Sequence, residues 1–254
     1  MYKIPAHTLF FGKNLVFLPE CPSTNSLAVE LAQAGRGPEG TVVITNHQTA
    51  GRGQRGNTWE SGIGLNLTFS VIVHPVFLNA AQQFLLNKAV SLAIRDVIFR
   101  YNVEQVRVKW PNDIMISNKK SCGILIENQV TGNQLSRSVI GIGLNVNQRE
   151  FTSPGATSLS VHLGKSIDLA RLFDDLLQSL EWRYLQLKNN RLRELDEDYI
   201  RSLYGLNEMR PFMVGDKKME GRIVGVDHLG RLSVDFEKPG ETRSFDLKEI
   251  KYLL

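Results

Sequence analysis

Through most of the chain, short runs of apolar residues alternate with stretches in which apolar positions recur every three or four residues. The short runs predict seven strands, at 15–18, 41–45, 65–73, 106–110, 113–117, 121–129 and 138–146. The longer stretches predict helices, one following Ser23-Thr24-Asn25 as far as Gly35 and others at 79–101, 168–188 and 191–203. Turns at 118–119 and 131–133 predict two consecutive hairpins, so the strands there should run antiparallel.

The pattern changes after Asn207. Residues 211–254 hold short alternating runs separated by turns at Gly215-Asp216, at 227–230 and at Pro239-Gly240. Such a pattern is typical of a small all-β unit and predicts a five-stranded barrel. We therefore expect a large domain at 1–208 and a small β domain at 209–254.

Composition limits the class of protein. The chain has 254 residues, 42% of them apolar and 22% charged, which is an ordinary soluble balance. The net charge of +4 suits an anionic ligand, and the basic residues form no stripe or tail of the kind that binds nucleic acid. Two cysteines and five scattered histidines lack zinc spacing. No signal peptide or membrane span is evident, so we expect a cytoplasmic protein with neither a structural metal nor a membrane partner.

The loop at 51–61 is the strongest candidate for binding chemistry. Its glycines free the backbone to approach a ligand, and Arg52 and Arg55 supply positive charge and planar donors for phosphate or carboxylate. A solvated turn is the alternative, but such a turn has no need of the large apolar ring of Trp59. The loop therefore favours a phosphorylated ligand that becomes covered after it binds.

Three other segments carry polar side chains beside predicted strands or helices. Ser23-Thr24-Asn25 is either a helix cap or a set of contacts for a polar head group. The segment 109–113 is either an ordinary turn after a strand or a means of aiming Asp113 at magnesium or an amine. Lys120 opens a strand and is expected to point back over the sheet, where Gly123 leaves room for a ligand. Gly141-Ile142-Gly143 lacks a dinucleotide fingerprint and indicates either close ligand approach or a bulge.

Taken together, these segments resemble the motifs of the biotin–protein ligases, also called biotin–[acetyl-CoA-carboxylase] ligases or holocarboxylase synthetases. The family's Ser-Thr-Asn matches 23–25, and its Gln-x-Ala-Gly-Arg-Gly-Arg-x-Gly-x-x-Trp loop resembles 48–59. Its Lys-Trp-Pro-Asn-Asp is present unchanged at 109–113. Its Lys-x-x-Gly-Ile-Leu-x-Glu is similar to 120–127, and its Gly-Ile-Gly-x-Asn strand resembles 141–147. The resemblance extends over nearly the whole chain.

The resemblance implies an α+β fold with a mixed, mostly antiparallel sheet flanked by helices, related to lipoate ligases and class II synthetases, and a C-terminal SH3-like barrel. It implies that biotin and ATP, with Mg²⁺, form biotinyl-5′-adenylate and pyrophosphate. A lysine of a biotin carboxyl carrier domain then takes the biotinyl group and AMP leaves. Family members occur as monomers and homodimers, and we expect an edge strand near 138–146 to be available for pairing.

The resemblance also implies roles for individual residues. The catalytic group comprises Lys120, Arg52 and Asp113, and Asp113 is also a candidate magnesium contact. Biotin contacts are assigned to Ser23, Thr24, Asn25, Gln48, Gly51, Arg52, Gly53, Gln54, Lys120 and Gly123. Adenylate contacts are assigned to Arg52, Arg55, Gly56, Trp59, Lys109, Asn112, Lys120 and Asn145.

The chain departs from the family pattern within the loop. Gln54 stands where many members have arginine and Asn57 where some do, so the loop carries less positive charge and retention of the adenylate should differ. The catalytic motifs also begin close to the first residue, so we expect the form without an N-terminal DNA-binding domain. A lipoate–protein ligase, a non-catalytic biotin sensor and a generic nucleotide-binding module are the competing hypotheses.

Overall fold

A seven-stranded sheet forms the centre of the molecule. The computed structural model describes residues 2–236 and 242–253, so the Pro239-Gly240 turn lies outside the described residues. The strands are β1 (Leu15–Cys21), β2 (Val42–Gln48), β3 (Leu67–Val73), β4 (Val106–Lys109), β5 (Asp113–Ile116), β6 (Lys119–Thr131) and β7 (Gln134–Leu144). Their order is β1-β2-β3-β7-β6-β5-β4. β1 pairs parallel with β2, and the other pairs are antiparallel, as predicted.

Helices cover both faces of this sheet because its central strands are apolar on both sides. They are α1 (Thr24–Gln33), α2 (Phe84–Arg100), α3 (Leu159–Leu163), α4 (Leu169–Lys188) and α5 (Leu192–Ser202). Along β2, Val42 and Ile44 join the main core with α2 and α4, whereas Val43 points to the opposite face and packs with Ala28 of α1. This alternation follows from the two-residue period of a strand. Among the described residues, no helix is long and apolar enough to cross a membrane.

Two expectations about these elements need correction. The helix expected from position 79 begins at Phe84, because Asn79 accepts a hydrogen bond from the Ala81 amide and caps a short 3₁₀ turn at Ala80–Gln82. The expected edge strand near 138–146 is wrong, because β7 lies between β3 and β6. The edges of the sheet are β1 and β4.

The C-terminal region forms a second, five-stranded sheet. Its strands are β8 (Met209–Val214), β9 (Lys217–Val226), β10 (Leu232–Phe236), β11 (Thr242–Phe245) and β12 (Ile250–Tyr252), in the order β11-β10-β9-β8-β12. All pairs are antiparallel, and inward residues such as Phe212, Ile223 and Val234 are fully buried. The predicted fold class is thus confirmed, while the boundary between 208 and 209 stays a prediction.

The two sheets are joined at the turn between β9 and β10. Trp110 donates its indole N–H to the carbonyl of Gly230 at 2.8 Å. Gly230 has a φ of +86°, and a Cβ there would lie 2.4 Å from Cγ of Phe84, so both the backbone conformation and the packing require glycine. The C-terminal sheet therefore packs directly on the segment that contains the Lys-Trp-Pro-Asn-Asp motif.

Candidate functional site

A cavity of about 170 Å³ opens over the sheet, between the start of α1, the loop at 51–59 and the strands β6 and β7. Most of the predicted biotin contacts line it. The lining comprises Ser23, Thr24, Asn25, Gln48, Arg52, Gly53, Gln54, Asn57, Thr58, Trp59, Asn112, Asp113, Lys120, Gly123, Ile124, Leu125, Gly141, Ile142 and Gly143. Four sequence segments that are far apart along the chain thus meet at one place.

The start of α1 forms a buried polar floor. Ser23 occupies the N-cap position, yet its side chain makes no capping hydrogen bond, so the simple helix-cap interpretation does not hold. Oε1 of Gln48 accepts from the Thr24 amide at 2.8 Å. Oγ of Ser70, on β3, lies between the side chains of Thr24 and Asn25. It is 2.8 Å from Oγ1 of Thr24 and 2.6 Å from Oδ1 of Asn25. Because Thr24, Asn25 and Gln48 are each oriented by a neighbour, this floor is preorganised for a polar ligand.

Glycines in the strands let two side chains lie directly on the sheet. A Cβ at Gly141 would be 2.1 Å from Oδ1 of Asn25, and one at Gly143 would be 2.3 Å from Cε2 of Trp59. β7 pairs with β3 without interruption through both positions, so the bulge is wrong, while close approach of a ligand stays a prediction. The groups that approach are the chain's own Asn25 and Trp59.

Lys120 points into the cavity because a β-bulge shifts its side chain to that face. In the β5–β6 ladder Ile114 pairs with Cys122 and Met115 with Lys120, leaving Ser121 as the extra residue. The extra residue brings Lys120 and Gly123 to the same face, and a Cβ at Gly123 would lie 3.3 Å from Cε of Lys120. The ammonium of Lys120 is 2.6 Å from Oδ1 of Asp113.

The turn that carries Asp113 is held by two hydrogen bonds between Asn112 and Ile124. Asn112 donates its side-chain amide to the carbonyl of Ile124 at 2.6 Å, and the Ile124 amide donates to the carbonyl of Asn112 at 3.0 Å. The Trp110-Pro111 peptide bond is cis. Asp113 faces Lys120, and its predicted contact with magnesium or an acceptor amine stays a prediction.

Lys109 lines neither this cavity nor the second cavity described below. Its ammonium packs over the ring of Tyr252, 4.9 Å from the ring centroid. Burial lowers the pKa of Lys109, nearby Asp113 opposes that shift, and Lys120 adds to it. The assignment of Lys109 to the nucleotide stays a prediction. In the structure the ammonium of Lys109 lies against Tyr252, with Asp113 and Lys120 as the nearby charges.

A second cavity, of about 480 Å³, adjoins the first. Thr58, Trp59 and Lys120 line both cavities and form their common wall. The rest of its lining comprises Glu60, Asn145, Gln148, Phe151, Thr152, Ser153, Gly155 and Ala156. The Lys120 amide donates to the carbonyl of Gly155 at 2.7 Å, so the segment at 151–156 is fixed beside Lys120.

The loop at 51–61, called the Gly/Arg loop below, closes on itself over the first cavity. The Gly53 amide donates to Asn57 at 2.7 Å and the Trp59 amide donates to Gly51 at 3.0 Å, with a 3₁₀ turn at Gln54–Gly56. Arg52 reaches across to β6, where its Nη2 is 2.8 Å from Oε2 of Glu127. The Arg55 side chain lies outside the described part of the structure.

The outcome for the other assigned residues is mixed. Gly51 and Gly56 shape the loop but do not line either cavity, whereas Asn145 lines the second cavity and donates to the carbonyl of Thr157 at 3.1 Å. Sequence reasoning missed the parts played by Ser70 and Glu127. Glu127 closes the quoted Lys-x-x-Gly-Ile-Leu-x-Glu motif, so its type and position were available as a signal.

Comparisons with known proteins identify the class of this site. The sequence model of the Biotin/lipoate A/B protein ligase family matches residues 18–145. Biotin–[acetyl-CoA-carboxylase] ligase of Mycobacterium tuberculosis is 33% identical over 231 residues, which is 88% of this chain and 84% of that protein. The chain therefore belongs to the biotin/lipoate A/B protein ligase family.

Biotin–protein ligases and bifunctional ligase/repressors are among the similar proteins within this family. The Aquifex aeolicus biotin protein ligase in complex with biotin and ATP superimposes with a TM-score of 0.78 at 26% identity, covering 95% of this chain and 100% of that chain. The bifunctional ligase/repressor BirA of Bacillus subtilis is 38% identical over 183 residues, which is 70% of this chain. The chain spans only about half, 55%, of that relative's length.

Proposed function

We propose that the protein is an ATP-dependent biotin–protein ligase. The carboxylate of biotin attacks the α-phosphate of ATP, pyrophosphate leaves, and biotinyl-5′-adenylate forms. The ε-amine of a lysine on a biotin carboxyl carrier domain then attacks the mixed anhydride, giving an amide and releasing AMP. The named activities of the M. tuberculosis and A. aeolicus relatives support this assignment.

The observation that carries the proposal is the common wall of the two cavities. Lys120 stands on that wall, with the polar floor of 23–25 on one side and the 151–156 segment on the other. A reaction that joins a carboxylate to a phosphate brings two anions together, and a fixed ammonium between them offsets their repulsion. We assign the smaller cavity to biotin and the larger cavity to the nucleotide.

The polar floor suits the ureido ring of biotin. Thr24, Asn25 and Gln48 supply donors and acceptors that are already oriented, Ser23 adds a hydroxyl, and a ligand lacking matching groups would leave them unpaired. Trp59 and the loop then exclude water from the adenylate, which would otherwise hydrolyse. Arg52 and Arg55 are proposed to add positive charge beside the phosphates, although Arg52 is paired with Glu127 in the described conformation.

Asp113 is proposed to act in the second step, where it orients the acceptor amine or accepts its proton. The sequence also made Asp113 a candidate magnesium contact. No group of three or more His, Cys, Asp or Glu side chains that could hold a metal occurs in the described ranges, and Asp113 already faces the ammonium of Lys120. Mg²⁺ would accompany the triphosphate and offset its charge, and the carboxylate of Asp113 is the group of this chain that would contact it.

Intact-mass measurement tests the function directly. The protein is incubated with ATP, magnesium, biotin and a biotin carboxyl carrier domain, and the carrier should gain the mass of one biotinyl group on one lysine. Omitting ATP should abolish the gain. Replacing biotin with lipoate tests the lipoate–protein ligase hypothesis. A lipoyl adduct formed at a comparable rate would contradict the biotin assignment.

The cytoplasm, where carboxylase carrier domains are made, is the proposed compartment.

A further inference from the structure

The one carboxylate that contacts both the Gly/Arg loop and the cavity floor belongs to Glu127, within the described residues. Its Oε2 accepts from Nη2 of Arg52 at 2.8 Å and from Nδ2 of Asn25 at 2.9 Å. Glu127 lies on β6, four residues beyond Gly123, and it does not itself line either cavity. It therefore acts on a ligand through its two partners.

The loop needs such an anchor because its backbone hydrogen bonds close mainly on the loop itself. Arg52 bridges to Thr58, and the amides of Gly53 and Trp59 bond within the same hairpin. Its base is tied to the start of α1 by the bond from the Ala50 amide to Pro22. The Arg52 guanidinium gives the hairpin a polar contact with β6, beside the packing of Trp59 on Gly143 of β7.

Asn25, the second partner of Glu127, belongs to the polar floor of the first cavity. Asn25 is almost fully buried, and its amide group is oriented by three contacts, with Ser70 at Oδ1 and with Leu125 and Glu127 at Nδ2. A carboxylate accepts only, so it fixes the Asn25 amide with its N–H groups towards β6 and its oxygen towards Ser70. The orientation of the floor and the closure of the loop thus depend on the same oxygen atom.

We propose that Glu127 is a positioning residue that latches the Gly/Arg loop over the first cavity and sets the direction of the Asn25 amide. The latch rests on the proposed function, since it explains how the adenylate is retained. The two side chains are partly exposed, 44% for Arg52 and 35% for Glu127, so the latch can open for substrate and carrier.

The test compares release of biotinyl-adenylate from the wild type and from Glu127→Gln, which keeps the size and removes the charge. A partly exposed ion pair is worth up to about 1 kcal/mol, which corresponds to roughly fivefold faster release. Glu20→Gln is the matched control, because Glu20 pairs with His47 on neighbouring strands and contacts neither Arg52 nor Asn25. Its release rate should equal that of the wild type.

A double-mutant cycle identifies the partner. In the Arg52→Ala background, Glu127→Gln should produce no further acceleration, because the ion pair is already absent and the glutamine oxygen can still accept from Asn25. Release from the wild type should also rise with ionic strength, while release from Glu127→Gln should not, since salt screens an exposed pair. Additive effects of the two substitutions, or equal salt dependence of both proteins, would overturn the latch.

Hydrogen exchange separates failure of the latch from failure of the proposed function. In the ligand-free protein, the amides of Gly53 and Trp59 should exchange faster in Glu127→Gln and in Arg52→Ala than in the wild type or the Glu20→Gln control. A wild type that forms no adenylate contradicts the function alone, because loop exchange still reports on the latch. Unchanged exchange in both variants refutes the latch even if adenylate forms normally.

Discussion

Replacing Lys120 with alanine is the most direct test of the proposed chemistry. Its ammonium lies on the wall between the two cavities and is 2.6 Å from Asp113. Lys120→Ala removes a fixed positive charge from the point at which carboxylate and phosphate are proposed to meet. Loss of one such contact typically costs about 3 kcal/mol in the transition state, which predicts a loss in adenylate formation on the order of a hundredfold.

The same substitution should change stability far less than rate. The Lys120 side chain is 37% exposed, so solvent already screens much of its interaction with Asp113. Leaving the partly buried Asp113 without its cation should cost about 1–2 kcal/mol of unfolding free energy. The variant is therefore expected to remain folded at the temperature of the assay, and urea unfolding can verify this.

Biotin-dependent exchange of labelled pyrophosphate into ATP isolates the first step from carrier recognition. Lys119→Ala is the matched control, because Lys119 is the preceding residue of the same strand, is exposed and lines neither cavity. The control should exchange at the wild-type rate. If Lys120→Ala exchanges at close to the normal rate, or if both lysines have equal effects, the assignment of Lys120 is wrong.

Three further changes have outcomes that follow from the site and its supports. Arg52→Gly should speed escape of the adenylate and biotinylate bystander lysines, which mass spectrometry of mixed proteins detects; unchanged selectivity would argue against a retaining loop. Gly143→Ala places a methyl group 2.3 Å from Trp59 and should weaken biotin binding in calorimetry, whereas Gly225→Ala, with its nearest neighbour at 3.6 Å, should bind normally. Burial tends to raise the pKa of Asp227, but hydrogen bonds from Arg231 and Leu229 outweigh it, so the pKa is lowered. The stabilising effect of the Asp227 carboxylate should be fully present above its ordinary pKa of about 4. It should decrease as the pH falls through the lower pKa of the folded protein. Asp227→Asn should flatten that part of a profile of melting temperature against pH.

Much of the fold could be predicted because the apolar spacing directly reports burial. β2 and β3 are apolar at consecutive positions, and the structure buries Val42, Val43 and Ile44 against helices on both faces. The five-residue α3 was not predicted, because so short a helix has no measurable period. The position of β7 was also missed, since strand order depends on pairing between residues far apart in sequence.

The candidate site was predicted in its residue types more than in its contacts. The motifs named Lys120 and Asp113, but the bulge at Ser121 that turns Lys120 towards the cavity has no signal in a single sequence. The pairing of Arg52 with Glu127 depends on where the loop closes, and the sequence indicated only that the loop is cationic. Lys109 was expected at the nucleotide, yet its strand directs it towards Tyr252 of the other sheet.

The contact between the two sheets has a consequence for how the protein folds during its synthesis. Trp110 is hydrogen-bonded to Gly230, and Lys109 lies against Tyr252 in the last strand. During synthesis, the segment that presents Asp113 gains these two contacts only after Gly230 and Tyr252 have left the ribosome. Nascent chains should therefore remain inactive until Tyr252 has been synthesised, and deleting β12 should impair adenylate formation by removing one of these supports.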